Sequence, residues 1–238
     1  MPEVLQAGSF MIRTSWLVLA LAAIAGYMLI RLKLKNAADQ ERQLPDLAAN
    51  GMLIVILTWK FSPILFNPSI LWTNPVSLLF INGSGRGIAL GLALALVYLE
   101  LKSRKQRLSR WYLLDLLSYW AGCIALIYFL FIWQYGTATS LPWGISISDP
   151  AFKYHPVNFY IVILLLPVYL WMWKQDHLLG TGKLFSNFAV FFGIALFIST
   201  FFKSTPALWL GMSGDQWMAA GMTLIGLLLI PRTRQEPA

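Results

Sequence analysis

Trp111-Tyr-Leu-Leu-Asp-Leu-Leu-Ser-Tyr-Trp-Ala-Gly-Cys-Ile-Ala-Leu-Ile-Tyr-Phe-Leu-Phe-Ile-Trp-Gln-Tyr135 carries a single carboxylate in an otherwise apolar and aromatic run. At about 1.5 Å of rise per residue, roughly 20 such residues as a helix cross a hydrocarbon core of about 30 Å. The run is apolar on every face, as lipid exposure or a bundle interior requires. Six further windows read the same way: Thr14 to Ile30, Leu47 to Phe66, Leu79 to Leu101, Asn158 to Trp173, Leu184 to Phe202 and Gln216 to Pro231. No window alternates polar and apolar residues, so a membrane barrel is excluded. Hydrophobic residues make up 58% of the 238 positions and charged ones 12%. A soluble domain carries about a quarter charged residues, so this chain has too little polar surface for water. The expectation is one polytopic, all-α membrane domain, residues 1–238, with seven transmembrane helices.

The loops orient it. With the N-terminus outside, the inner loops and tail hold Arg31, Lys33, Lys35, Arg42, Lys102, Arg104, Lys105, Arg107, Arg110, Lys174, Lys183, Arg232 and Arg234. Lys and Arg are retained on the cytoplasmic side, so the reading is N-out/C-in. The net charge of +8 is then mostly a topology signal, divided among separate segments, and nucleic-acid binding is not expected. Anionic inner-leaflet lipid at Lys102 to Arg110 is an alternative use of one such loop. The first window lacks a small-residue cleavage site and precedes a basic run, so it reads as a retained helix. The lone Cys123 excludes an internal disulfide and a cysteine metal site; it reads as a small buried apolar residue.

Two outer segments are more than plain connections. Asn67-Pro-Ser-Ile-Leu-Trp-Thr-Asn-Pro75 is apolar but broken by proline, and Gly136 to Val157 reads GTATSLPWGISISDPAFKYHPV. The second is either a re-entrant or lid element or an ordered interfacial loop, with Trp143 and Tyr154 suited to the interface. Asn82-Gly-Ser-Gly-Arg-Gly87 opens the third window. Its backbone could approach a phosphate with Arg86 as a fork, but no strand precedes it and the Lys-Ser/Thr ending of a phosphate loop is missing. Gly85, Gly87 and Gly91 serve close helix packing on the plainer reading.

Ionisable groups at membrane depth are functional candidates by default. Lys60, Arg86 and Lys203 lie towards the outer half, and three cations facing one cavity would hold an anionic headgroup; snorkelling to the interface is the bland alternative. His155, in Lys153-Tyr-His-Pro-Val-Asn-Phe-Tyr160, could act as a base, with Asp149 the one nearby carboxylate to orient it. A lone loop histidine is more often structural. His177 lies in an inner turn, on the other side of the membrane, so no metal site is expected and no cofactor is called for. No Gly-x-Ser-x-Gly motif is present.

In order and spacing, these motifs resemble the bacterial prolipoprotein diacylglyceryl transferase family. The resemblance rests on Gly8-Ser-Phe-Met-Ile-Arg13, Gly26-Tyr27, Leu113-Leu-Asp-Leu-Leu117, Tyr135-Gly136, Leu141-Pro-Trp-Gly144, His155-Pro156 with Tyr160, and Phe201-Phe202-Lys203. It implies a seven-helix enzyme of the bacterial cytoplasmic membrane. Such an enzyme moves diacylglyceryl from phosphatidylglycerol to the thiol of a lipobox cysteine in a prolipoprotein. Residue by residue, however, the family's His-Gly-Gly falls on Arg86-Gly87-Ile88. Its Arg-x-Gly-Asn-Phe-x-Asn-x-Glu falls on Ala125 to Trp133, where Arg becomes Ala125, an Asn becomes Tyr128 and the Glu becomes Trp133. Its early Tyr is Ser15, the Glu after His-Pro-x-x-x-Tyr is Ile161, and its late Arg is Lys203. Lys60 keeps charge where the family often has Arg.

Loss of one electrostatic contact to developing charge can add about 2.7–4 kcal/mol to a barrier, and Lys does not replace a bidentate Arg. The leading expectation is therefore a divergent, catalytically degenerate member, a pseudoenzyme that contacts phospholipid headgroups or lipoprotein-biogenesis partners. The runner-up is a working transferase in which Lys60, Arg86 and Lys203 hold the headgroup and His155 serves the thiol. The third reading, a small transporter or channel, lacks internal repeats or paired broken helices.

Overall fold

A computed structural model describes residues 4–7, 10–39, 41–74, 81–147 and 149–229. Eight α-helices lie among these residues: α1 (Thr14–Lys33), α2 (Leu44–Phe66), α3 (Ile70–Thr73), α4 (Gly85–Gln106), α5 (Arg110–Phe131), α6 (Val157–Trp173), α7 (Lys183–Thr200) and α8 (Gly214–Leu228). Three short antiparallel pairs accompany them: β1 (Val4–Ala7) with β2 (Phe10–Arg13), β3 (Tyr135–Ala138) with β4 (Tyr154–Pro156), and β5 (Ala207–Trp209) with β6 (Met212–Ser213). Each of the seven apolar windows contains one long helix. Four helical segments are long and apolar enough to cross a membrane: Thr14–Lys33, Glu41–Phe66, Arg110–Phe131 and Lys183–Thr200. Val157–Trp173 is a shorter apolar helix. Gly8, Ser9, Pro75, the stretch 76–80 and the tail bearing Pro231, Arg232 and Arg234 lie outside the described residues.

The ends differ from the sequence windows for local reasons. Helix α4, in the third window, begins at Gly85 because the Ser84 side chain caps it, accepting from the Gly87 N–H. It continues to Gln106 because Lys, Arg and Gln propagate a helix well, and Arg107 ends it in the left-handed region at φ 52°. Helix α5, in the fourth window, stops at Phe131, since the chain turns into β3 and buried Asn158 takes over the helix end, donating from Nδ2 to the Phe129 carbonyl at 3.0 Å.

The chain divides into two compact units, residues 33–113 and residues 1–32 with 114–238. In the larger unit α5, α6 and α7 alternate in direction. At one end Tyr119 of α5 donates to the Met172 carbonyl of α6 at 2.5 Å. Beside it, fully buried Asp115 accepts backbone N–H groups from Gly180, Gly182 and Phe185, each at 2.9 Å. Gly182 is the N-cap of α7, sits at φ 78° and has no side chain to cap with. Asp115 thus caps α7 from another helix, where a carboxylate also meets the positive end of the dipole. The Leu-Leu-Asp-Leu motif is a scaffold element.

Other sequence motifs in this unit also serve packing. A β-carbon on Gly26 would sit 2.5 Å from Trp120 Cδ1, so glycine is what lets Trp120 lie against α1 and donate to the Ala23 carbonyl at 2.8 Å. Helices α7 and α8 pair antiparallel through small residues: Gly193 meets Ala219 and Thr223, and Gly226 meets Ser186 and Val190. In the smaller unit, α2 and α4 pair in the same way, with Gly91 against Val55 and Gly87 against Ser62. Small residues permitting close backbone approach are the common means of packing helices in lipid.

Candidate functional site

Gly136 to Val157 is an ordered arm. The Thr139 N–H donates to the Lys153 carbonyl at 2.8 Å, and Ile145 and Tyr154 exchange bonds of 3.0 and 2.9 Å. The arm is docked at its base by Thr137, whose N–H reaches the Phe202 carbonyl at 2.8 Å. Gly136 makes that possible, because a β-carbon there would come within 2.1 Å of the Phe202 oxygen. Its other strand runs straight into α6, with the Val157 N–H on the Gln134 carbonyl at 3.0 Å. The ends of α5, α6 and α7 are thereby tied at one place.

There the sequence candidates His155, Tyr160, Trp143 and Phe202 meet. His155 Nδ1 lies 2.9 Å from the Tyr160 hydroxyl, and Trp143 Nε1 donates to the same oxygen at 3.0 Å. The Phe202 ring packs 5.0 Å from the His155 ring and 4.9 Å from that of Tyr160. Indole N–H only donates. The Tyr160 oxygen therefore takes the Trp143 N–H and also bonds His155 Nδ1, with the direction of that second bond set by the imidazole tautomer. Asp149, the one nearby carboxylate, accepts from the Ala151 N–H of its own turn at 2.9 Å. The reason is physical: a short aspartate one residue before proline in a turn closes on local backbone more readily than on a distant ring.

The cluster borders an open, apolar cleft of about 710 Å³ lined by Trp133, Leu141, Trp143, Phe159, Tyr160, Phe202 and neighbouring aliphatic residues, none of them charged. Pro142 and Gly144 belong to the turn that carries Trp143, with the Gly144 N–H on the Leu141 carbonyl at 3.0 Å. Aromatic side chains occupy the C-terminal half of α5 and its exit. Trp133 stacks on Tyr135 at 6.2 Å and packs on Phe159 at 5.0 Å, while Tyr128 meets Phe129 edge-on at 5.4 Å. Ala125 is buried. Lys203, partly buried at the end of α7, is not among the residues lining the cleft.

Lys60 and Arg86 belong to the unit of residues 33–113. Lys60 Nζ donates to the Ile81 carbonyl at 3.1 Å, so this cation holds backbone just ahead of α4. Arg86 is exposed at the start of α4. Between them, Ser62 accepts from the Ser84 N–H at 2.9 Å and gives its own hydrogen to the Trp59 carbonyl at 2.8 Å. A β-carbon would fall 1.9 Å from the Trp59 oxygen at Gly83 and 2.3 Å from Ser62 Cβ at Gly87, but would meet nothing at Gly85. The glycine-rich segment therefore closes against α2, and packing explains Gly87 and Gly91 but not Gly85. His177 lies exposed in a 3-10 turn, Asp176–Leu178.

Sequence reasoning missed Asn158 and the Ser62–Ser84 contact. Asn158 is the one amide inside its apolar window, and that isolation is the signal that would have found it. Ser62 offers less, because a serine in an apolar helix commonly bonds its own preceding turn, as this one also does.

The family model for prolipoprotein diacylglyceryl transferase matches residues 2–232. A phosphatidylglycerol–prolipoprotein diacylglyceryl transferase of Aromatoleum aromaticum is 27% identical over 213 residues, covering 83% of this chain and 80% of its own length. One of Polynucleobacter asymbioticus is 27% identical over 255 residues, covering 99% and 97%. One of Paracidovorax citrulli is 33% identical over 116 residues, covering 45% and 43%.

Proposed function

We propose that this chain, which belongs to the prolipoprotein diacylglyceryl transferase family, keeps the family's lipid-facing architecture and has lost its chemistry. On this reading it crosses the bacterial cytoplasmic membrane seven times, N-out and C-in. The seven long helices and the loop charges support that topology. Its role is contact with anionic phospholipid headgroups, phosphatidylglycerol first, or with prolipoprotein and other partners of lipoprotein biogenesis.

One observation carries the reading. The cleft beside His155 and Tyr160 is lined by aromatic and aliphatic side chains and no charge, whereas departure of phosphoglycerol needs cations at the developing phosphate charge. Donors or cations aimed at such charge are usually the largest single contribution to catalysis. His155 fits the same picture: its Nδ1 is engaged at 2.9 Å by the Tyr160 hydroxyl, a phenol in place of the carboxylate that would raise the basicity of the ring. Lys60 and Arg86, flanking the Ser62–Ser84 contact, are the proposed headgroup contacts of their unit. Lys203 is a separate cation at the end of α7.

Complementation tests this. Cells depleted of their diacylglyceryl transferase and expressing this chain, folded and membrane-inserted, are expected not to recover lipoprotein maturation. The purified chain is expected to retain phosphatidylglycerol, and to lose most of it in the Lys60→Ala, Arg86→Ala double variant. Rescue of growth that Arg86→Ala abolishes would instead establish a working transferase and sink the proposal. Solute flux through reconstituted vesicles would favour a channel.

A further inference from the structure

The connection between α7 and α8 carries a short hairpin whose chemistry the site does not use. β5 and β6 pair around a two-residue turn, Leu210-Gly211, with φ of 49° and 73°. Positive φ at both central positions is the turn that suits a twisted hairpin, and Asn-Gly or Asp-Gly normally supplies it. Leucine there meets the Cβ–carbonyl crowding that disfavours left-handed backbone, yet it places an apolar side chain at the tip. Leu208, Trp209 and Leu210 are 76%, 64% and 71% exposed. In water, three adjacent large apolar side chains at a loop tip are a liability.

Polar groups beside the tip are paired locally. Trp217 Nε1 donates to the Trp209 carbonyl at 3.2 Å while the two indoles stack at 5.3 Å. Ser213 and Gln216 form a reciprocal capping box at the start of α8, with bonds of 2.8 and 3.3 Å. Apolar groups outward and polar groups paired internally is what a low-water surround requires.

The helices fix where that surround is. α7 and α8 are antiparallel, so both ends of the hairpin segment leave the same end of the pair. α8 has 15 residues, about 22 Å at 1.5 Å per residue, which is short of a hydrocarbon core of about 30 Å. A helix this short leaves depth within the leaflet for its flanking residues, and the apolar tip beside its N-terminus is placed to take it up. Lys203 upstream and Asp215 in the first turn of α8 limit that depth to the headgroup boundary.

We propose that the Leu208–Leu210 tip is an interfacial anchor that inserts into the phospholipid leaflet beside α7 and α8, holding the Phe202 rim of the cleft at lipid level. The inference rests on α7 and α8 crossing the membrane.

Site-directed spin labels test it on the full chain, reconstituted in phosphatidylcholine–phosphatidylglycerol vesicles in a Cys123→Ala background. Labels at Leu208→Cys and Leu210→Cys are expected to collide more with oxygen than with a water-soluble nickel chelate. Ile194→Cys, on the exposed face of α7, is the lipid control. Greater nickel access at 208 and 210 with a lipid-like 194 overturns the anchor and leaves the crossing intact. Exclusion of both reagents at 208 and 210 means that protein covers the tip, and also overturns it. Water-like behaviour at 194 rejects the crossing itself. If Leu210→Cys fails to fold, Leu208→Cys carries the test, since its backbone lies in a strand.

Discussion

Asp115→Ala is expected to be among the most destabilising single substitutions in the chain without touching the cleft. The carboxylate is fully buried and accepts three N–H groups at 2.9 Å. Hydrogen bonds to a charged group contribute about 1.5–3 kcal/mol each. Removing the carboxylate also relieves the cost of burying it, which offsets several kcal/mol. The N–H groups of Gly180, Gly182 and Phe185 remain without an acceptor at the start of α7, so the net loss is about 3–5 kcal/mol, as for other broken buried charge networks. For a chain of this size each kcal/mol moves the midpoint by about 2–4 °C, a drop between about 6 and 20 °C. Asp115→Asn keeps one carbonyl oxygen but turns an NH₂ towards N–H donors, and should lose at least about half as much.

The assay is size-exclusion recovery after heating in detergent, at one fixed rate because such unfolding is irreversible. Asp39→Ala is the control: Asp39 pairs only with Arg42, at 3.6 Å and almost fully exposed, so its loss lies within about 0.5 kcal/mol. A midpoint for Asp115→Ala within about 2 °C of the parent would mean that the carboxylate does not hold α7. The motif would then have to be reread as a chemical group.

Gly26→Ala places a methyl 2.5 Å from Trp120 and should cost about 1–3 kcal/mol by overpacking, read by the same assay with a shifted tryptophan emission. Gly87→Ala should destabilise comparably, whereas Gly85→Ala should be neutral, since only Gly87 meets Ser62; equal effects would refute the packing assignment. Tyr160→Phe removes the partner of both His155 and Trp143 at about 1–2 kcal/mol, and should make the arm of residues 136–157 more sensitive to protease while the helices stay resistant. Leu210→Asn should make the hairpin easier to form, because Asn tolerates left-handed backbone, yet weaken its hold on lipid vesicles.

The apolar windows located the helices because lipid imposes one demand over some twenty residues, and no rival pattern competes with it. Their ends were less legible. The start of α4 depends on the Ser84 hydroxyl and its end on a left-handed Arg107, neither of which changes hydropathy much. Function was less legible still, for a geometric reason. Asp115 meets partners 65 to 70 residues away in sequence, so its window announces a buried charge without saying what neutralises it. His155 and Tyr160 are brought together by a strand-to-helix turn at Pro156 and Val157. No helical or strand period places residues five apart on one face. Lys60 and Arg86 stand out in the sequence as cations in or beside apolar windows, but only the fold separates Lys60, bonded to Ile81, from exposed Arg86.

The aromatic filling of the cleft makes the proposed loss of chemistry hard to reverse. Where the family resemblance places a Glu, Trp133 stacks on Tyr135 and packs on Phe159. Trp133→Glu would delete that contact area and set a carboxylate among aromatic rings. Where the resemblance places an Arg, Ala125 is buried, and a guanidinium there would have to displace its neighbours. Either change alone puts an unpaired charge into a poorly hydrated site, which costs several kcal/mol. Intermediates between this cleft and a polar one would be less stable than either, so selection acting on lipid binding or on partner contact would preserve the aromatic cleft.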